Sequence, residues 1–443
     1  MMLLSFTVRN HKSIRDEVTI DLTEPSLRTL QPRNGNWDDV TYPIAALFGG
    51  NATGKSAVLD AMLYAFTAVA QSATTWQASK VMHRAPFRLD GTEDVASSAY
   101  ELDFVHDETR YVYAFEVDRE GIKRELLRDL PASRWRTLLD RNRDTGLFKF
   151  HTTLRGRIEV TVRELVLSRA LLMPDSALHG VAWGLASGYD FVSVKDTDRA
   201  ARLSVIANSL AEGAVNLADL EALLTAADTG IQSVSIEESE MPEQARRILR
   251  AALKEVRKDG PSESSDSGGQ ERGVNLDNDF LGVVVRNLLF THRGSAEKPP
   301  PFRIQDESDG TIAWLAVAVP AMEALRRGGL LLVDEIDASL HPHLVEILLE
   351  AFADPSVNKK NAQLIFTTHE THLLSPQSNV RLDPRQIWVT DKTYEGVTEL
   401  ACLGDFPKHP DANVAKRYLA GRYGGIPRLA PSVLAILVDT EAS

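Results

Sequence analysis

The chain has 443 residues, with 43% hydrophobic and 25% charged side chains and a net charge of −13. That length and balance imply a globular protein of two or three domains with ample core, and they exclude a disordered or fibrous chain. The single cysteine, Cys402, rules out an internal disulfide, and the acidic balance argues against a simple DNA-coating protein while leaving room for a local basic groove.

No apolar run reaches the roughly 18 residues of a membrane span. The first residues, Met1 to Phe6, lack a basic flank followed by a long apolar core, so no signal peptide is expected. A cytoplasmic location and no membrane partner are the resulting expectations.

Residues 3–22 alternate in polarity, predicting two strands around a turn at Lys12-Ser13. Ile44 to Phe48 reads as a buried strand, and Ser56 to Ala70 as a helix with Val58, Ala61, Met62, Ala65 and Val69 on one face. Between them stands Gly49-Gly50-Asn51-Ala52-Thr53-Gly54-Lys55-Ser56, a complete G-x-x-x-x-G-K-[ST] string. Its glycines let backbone N–H groups close around phosphates, Lys55 reaches the β- and γ-phosphates, and the Ser56 hydroxyl is suited to Mg2+. The strand–loop–helix context implies ATP or a similar triphosphate as ligand.

Residues 99–118 read as an antiparallel hairpin, and 120–150 as a further, basic one. Residues 120–163 hold eleven Lys or Arg against six acids, an excess of +5. This is either a solvated hairpin face or a surface for DNA. From about 160 to 257 the periodicity reads as helical, as at Val215 to Ala227 and Glu243 to Lys258. The polar, low-complexity stretch 258–273 is expected to be a mobile loop.

Strand signals return after 280. Thr311 to Arg326 reads as a helix opened by Ser308-Asp309-Gly310, a small polar turn suited to a second anion site. Leu330 to Val333 is a buried strand ending in Asp334-Glu335. In that position Asp334 enters a Mg2+ shell and Glu335 polarises an attacking water. His341 to Phe352 reads as a helix. Gln363 to Thr368 is a strand whose end brings His369 beside the γ-phosphate, because neighbouring parallel strands end at one sheet edge. Gln386 to Val389 is another strand. Strand–helix alternation here implies a parallel α/β core. Two apparent metal strings fit poorly. In His369-Glu370-Thr371-His372 the histidines are one residue too close for a zinc helix, and Pro342 of His341-Pro342-His343 suits a helix first turn.

Together, GGNATGKS, SDGT, LLLVDE followed by Ile336-Asp337-Ala338-Ser339-Leu340-His341-Pro342, and TTH resemble the ABC-type ATPases of the SMC, RecF, RecN and OLD group. More narrowly, the chain is similar to stand-alone "AAA" ATPases of anti-phage and abortive-infection operons, of the AbiL, RloA and PARIS AriA type. Phe6 to Ile14, Ala227 to Ile231, Glu307 to Thr311 and Tyr418 to Pro427 carry the narrower likeness.

The resemblance implies a P-loop NTPase of ABC-ATPase type: α/β, with a mixed sheet, an antiparallel β subdomain and an inserted helical domain. It implies ATPase halves at 1–118 and 296–443, and an insertion at 119–295. Ser308, Asp309 and Gly310 would contact the γ-phosphate held by the other subunit of a homodimer, and Asp337 would lie in the D-loop across that dimer. His369 would be the switch histidine, with Lys12 and Ser13 near the phosphates. The chain departs from the usual pattern at Asp309, where Gly is commoner, and at Pro86-Phe87-Arg88, where a glutamine is usual. The implied setting is phage defence with a separately encoded nuclease or toxin as partner. The alternatives are a RecF-like repair ATPase and an ATP-stabilised scaffold that sequesters a toxin.

Overall fold

The computed structural model describes residues 1–79, 81–154, 158–193, 196–227, 230–240, 284–295, 299–407 and 413–425. The expected helix at 243–258 and the expected mobile loop at 258–273 lie outside them, as do residues 426 and 427 of the C-terminal string. The chain divides into two compact units, one of Met1–Val194 with Pro320–Ser443, the other of Lys195–Val319. Residues 119–194, read from the sequence as the start of an insertion, pack within the first unit.

The first unit holds two sheets. One is a seven-stranded antiparallel sheet in the order β2-β1-β4-β5-β6-β7-β8. Its strands are β1 (Met2–Arg9), β2 (Val18–Asp21), β4 (Ser98–His106), β5 (Thr109–Val117), β6 (Ile122–Leu130), β7 (Arg136–Asn142) and β8 (Leu147–Phe150). Strict alternation builds its buried face: Phe6 and Val8 from β1, Tyr100, Leu102 and Phe104 from β4, Tyr113 and Phe115 from β5.

The other sheet has six strands in the order β16-β15-β3-β14-β13-β9. Here β3 (Ile44–Phe48), β9 (Tyr189–Val192), β13 (Leu330–Val333), β14 (Gln363–Thr368) and β15 (Ile387–Lys392) run parallel, and β16 (Thr398–Cys402) closes the edge antiparallel. Every residue of β3, β13 and β14 is buried, as expected of parallel strands covered on both faces. The fold is therefore α/β with a mixed sheet and an antiparallel β subdomain. Of residues 1–118, only β3 joins the parallel sheet; the other strands in that stretch form the antiparallel one.

Helix α1 (Lys55–Gln71) buries Val58, Leu59, Met62, Phe66 and Val69 in a core shared with both sheets and with α2 (Val166–Leu171) and α3 (His179–Ser187). A buried side chain joins the sheets directly. Gln363 of β14 accepts from Leu3 N (2.6 Å) and donates to Leu3 O (2.8 Å) on β1.

In the second unit β10 (Ile231–Glu240), β11 (Val284–His292) and β12 (Phe302–Arg303) form a sheet beside α4 (Asp196–Ala211) and α5 (Leu217–Ala226). Helix α6 spans Asp309–Arg327, and its Trp314 Nε1 donates to Leu223 O (2.8 Å). Two strands fall in the stretch that periodicity assigned to helix. β9 is four residues long, too short to show a period. β10 alternates, but its glutamates mask the pattern.

Candidate functional site

Because β3, β13 and β14 are parallel, Phe48, Val333 and Thr368 end at one edge of the sheet. The residues immediately after them form the candidate site. The Gly49–Ser56 loop follows β3 and leads into α1. At Gly54, the residue before α1, φ is +111° and no side chain caps the helix. The first-turn N–H groups of α1 thus face an anion-ready opening. A Cβ at Gly54 would meet Thr398 Oγ1 at 2.0 Å, so glycine is obligatory there. Thr53 Oγ1 donates to Gly50 O (2.9 Å) and lies 2.7 Å from Thr390 Oγ1, which braces the loop from β15.

Lys55 is buried (5% exposed), and its ammonium donates to Gly49 O (2.9 Å) and Gly50 O (3.0 Å). Burial lowers its pKa to about 8; Glu335, Asp334 and Asp337 act in the opposite direction. A buried cation held mainly by carbonyls is suited to a polyphosphate.

Ser56 Oγ donates to Asp334 Oδ1 (2.9 Å), and Thr367 Oγ1 donates to the same oxygen (2.7 Å). Thr367 Oγ1 also accepts from Glu335 N (2.6 Å). The chain turns sharply after β13: Glu335 has φ +55°, rare for a residue with a side chain, and is exposed beside a buried strand. A serine hydroxyl and a carboxylate oxygen at hydrogen-bonding distance are two hard donors of the kind Mg2+ takes, so the residues fit that ion.

His369 lies next to this group. Its Nδ1 is 3.5 Å from Lys55 Nζ, and its backbone N–H donates to both carboxylate oxygens of Asp337 (3.3 Å each). Burial, then the Lys55 charge, lowers the His369 pKa, so the ring is neutral near pH 7 and accepts from Lys55.

The structure thus brings together Gly49 to Ser56, Asp334, Glu335, Asp337 and His369. Lys12 and Ser13 stand one contact further out. Lys12 Nζ pairs with Asp60 of α1 (2.6 Å). Ser13 Oγ is 2.8 Å from Thr398 Oγ1, itself 2.9 Å from Thr53 O. Ser308, Asp309 and Gly310 belong to the second unit, where Ser308 Oγ caps α6 by accepting from Thr311 N (3.1 Å).

The sequence reading quoted Thr367 without giving it a role and passed over Thr390 and Thr398. All are at most 1% exposed at or near the ends of strands, and a threonine finishing an apolar run was the available signal. The other histidine strings have local partners. His341 caps α7 (Pro342–Ala353), while His343 Nδ1 and His372 Nε2 lie 3.0 and 3.2 Å from the two oxygens of buried Glu346.

The basic hairpins are internally paired. Arg136 is bonded to Asp129 and Arg143 to Asp118; Arg141 is buried, donating to Glu164 O (2.7 Å). Among the described residues no helix is long and apolar enough to cross a membrane.

A parallel sheet, a glycine-rich loop over a helix N-terminus and a carboxylate pair on the next strand but one define a P-loop nucleotide-binding protein. The chain belongs to the family described as "AAA domain, putative AbiEii toxin, Type IV TA system", whose model matches residues 44–375. No curated protein matches it significantly. Among solved structures it is similar to an SMC head bound to the C-terminal winged-helix domain of ScpA (13% identity, 90% of this chain and 97% of that one, TM-score 0.43). It is also similar to the SMC head domain from Thermotoga maritima (13% identity, 91% and 99%, TM-score 0.37).

Proposed function

We propose that this chain binds and hydrolyses ATP and works as a nucleotide-driven dimer switch, the sensor or regulatory ATPase of a phage-defence system. The observation that carries the reading is the continuous path Ser56–Asp334–Thr367–Glu335 beside the buried Lys55.

In this reading Gly49 to Ser56 wrap the phosphates through their N–H groups, and Lys55 moves its donors from loop carbonyls to phosphate oxygens. Ser56 and Asp334 would hold Mg2+, which neutralises phosphate charge when bound. Glu335, set outward by its left-handed backbone, orients and deprotonates the attacking water. His369, neutral and next to Lys55, senses the γ-phosphate position. Lys12 and Ser13 serve the phosphates from the β1–β2 turn.

Ser308, Asp309 and Gly310 complete the partner subunit's site in a head-to-tail homodimer, with Asp337 at the join. Each nucleotide then contacts both chains, closure depends on ATP, and hydrolysis releases it. In the sequence-drawn division, 1–118 and 296–443 are the ATPase halves, and 119–295 turns closure into an output. The family's description, a putative toxin of a type IV toxin–antitoxin system, supports a toxin–antitoxin setting with a separately encoded partner; that this partner is a nuclease or toxin rests on the resemblance alone. The internal pairing of Arg136, Arg141 and Arg143 leaves the DNA-repair reading with less free charge than the sequence suggested.

The test is Glu335→Gln. Loss of a general base should lower turnover by about 10²–10⁴-fold. ATP binding should persist, and the ATP-dependent dimer seen by light scattering should no longer dissociate. Ser308→Arg should block that dimer while leaving monomer binding intact. Wild-type hydrolysis by Glu335→Gln would sink the catalytic assignment. Normal defence by a hydrolysis-dead Glu335→Gln would instead favour the nucleotide-stabilised scaffold.

A further inference from the structure

A second ionisable cluster adjoins the phosphate loop, and of its members the roles above use only Lys12. His11, in the β1–β2 turn, is fully buried. Its Nε2 lies 2.8 Å from Asp60 Oδ2 and its Nδ1 lies 2.8 Å from Tyr100 OH on β4. Both ring nitrogens are occupied, so the imidazole fixes the orientation of the Asp60 carboxylate. The other carboxylate oxygen, Oδ1, is 2.6 Å from Lys12 Nζ. Asp60 lies on α1, the helix that begins with Lys55.

We infer that Asp60, held in place by His11, is a latch for Lys12, and that a polyphosphate on the neighbouring loop competes with it for the Lys12 ammonium. This rests on the reading of Gly49 to Ser56 as a phosphate loop.

Three observations support exchange rather than a fixed pair. First, the partners differ in access. The His11 side chain is 0% exposed, whereas Lys12 is 48% and Asp60 35% exposed. Ion pairs open to water are weak, so the Lys12 contact yields to a polyanion while the His11 contact stays. Second, the turn adjoins the loop. Ser13, next in sequence, contacts Thr398 Oγ1 (2.8 Å), which contacts the Thr53 carbonyl (2.9 Å). Third, Lys12 has φ +49° and its N–H is fixed on Ala85 O (2.6 Å). The backbone is pinned in a conformation costly for a side-chain residue, so the freedom lies in the long side chain.

Asp60 and His11 are thus positioning residues. They hold an ammonium ready beside the loop and lower the loop's affinity by the strength of the latch. Release of Lys12 leaves Asp60 with His11 and Tyr100, a path into the antiparallel sheet.

The experiment titrates the full-length protein with ATP and, separately, with inorganic tripolyphosphate. Asp60→Asn keeps the shape and an acceptor for His11 but loses the charge that holds Lys12. Affinity for both ligands should rise by about threefold to fivefold, the range an exposed ion pair allows. The gain should vanish in the Asp60→Asn, Lys12→Met double variant, because no ammonium is left to release. Asp60→Glu, which restores the charge, should return affinity toward wild type and keeps the test open if Asp60→Asn is unstable.

Unchanged or weaker binding by Asp60→Asn overturns the latch. A gain that survives in the Lys12→Met background also overturns it, since that is general charge repulsion. Failure of the wild type to bind tripolyphosphate, with Lys55→Met no different, overturns the phosphate-loop reading and the latch with it. Wild-type binding that Lys55→Met abolishes, with Asp60→Asn inert, overturns the latch alone.

Discussion

Thr367 carries one hydroxyl that does two jobs: it donates to Asp334 Oδ1 and accepts from Glu335 N. Removing it takes the partner from the part-buried Glu335 N–H and one of the two hydroxyl donors from the Asp334 carboxylate. A hydrogen bond to a charged group contributes about 1.5–3 kcal/mol, so Thr367→Val should lower turnover about 10–150-fold while ATP still binds. Equal kcat for the two proteins would show that the hydroxyl does not position the carboxylates. Lys55 adds a pH dependence. Its ammonium titrates at about 8 in the free protein, well below an ordinary lysine. Tripolyphosphate binding needs the charged form, so affinity should be flat below that pH and fall about tenfold per unit above it. Lys55→Met should bind weakly and without that fall. At this scale the sequence was most informative: Lys55, Ser56, Asp334, Glu335 and His369 were all legible, because each sits in a short string with its neighbours. Thr367 was quoted but given no role, since a threonine ending a strand is usually no more than a strand former.

Among the elements, β6 and β7 show how charge can be misread. Glu125 of β6 is fully buried, accepting from Tyr113 OH (2.9 Å) and Val166 N (2.8 Å), with Arg141 of β7 3.6 Å away. Burial raises the Glu125 pKa, opposed by the Val166 N–H and by Arg141. Breaking a buried pair costs about 3–5 kcal/mol, so Glu125→Ala or Arg141→Ala should lower the urea midpoint strongly at unchanged slope. A loss under ~1 kcal/mol would show that the network is not a brace. Charge reversal at Arg141 is therefore a poor probe of DNA binding, and Arg124 and Arg134, both exposed on the same stretch, are better ones. Alternation made the hairpins legible, but which arginines turn inward depends on pairing across strands. Tyr189–Val192 escaped for a related reason. Its strand character comes from the parallel pairing with Leu330–Val333, far away in sequence.

Taken whole, the first unit is assembled from two distant stretches of chain. β3 has β14 on one side and β15 on the other, both from the later stretch. Residues 1–194 alone would leave the strand that feeds the phosphate loop without either neighbour. Such a fragment should neither unfold cooperatively nor bind tripolyphosphate, and adding residues 320–443 as a second chain should restore both. Tight binding by the fragment alone would refute this dependence. The parallel α/β core could be foreseen from strand–helix alternation, but the strand order could not, because it is set by tertiary packing. One bond in that order has a mechanical consequence. Asp334 N donates to Val192 O (2.9 Å), and the chain passes into the second unit at Lys195. A pull along β9 is borne by its parallel pairing with β13 and by the amide of Asp334, the residue just past that strand. A force too small to strip the strand still strains the peptide that carries the carboxylate, so pulling on β9 under tweezers should slow turnover before anything unfolds.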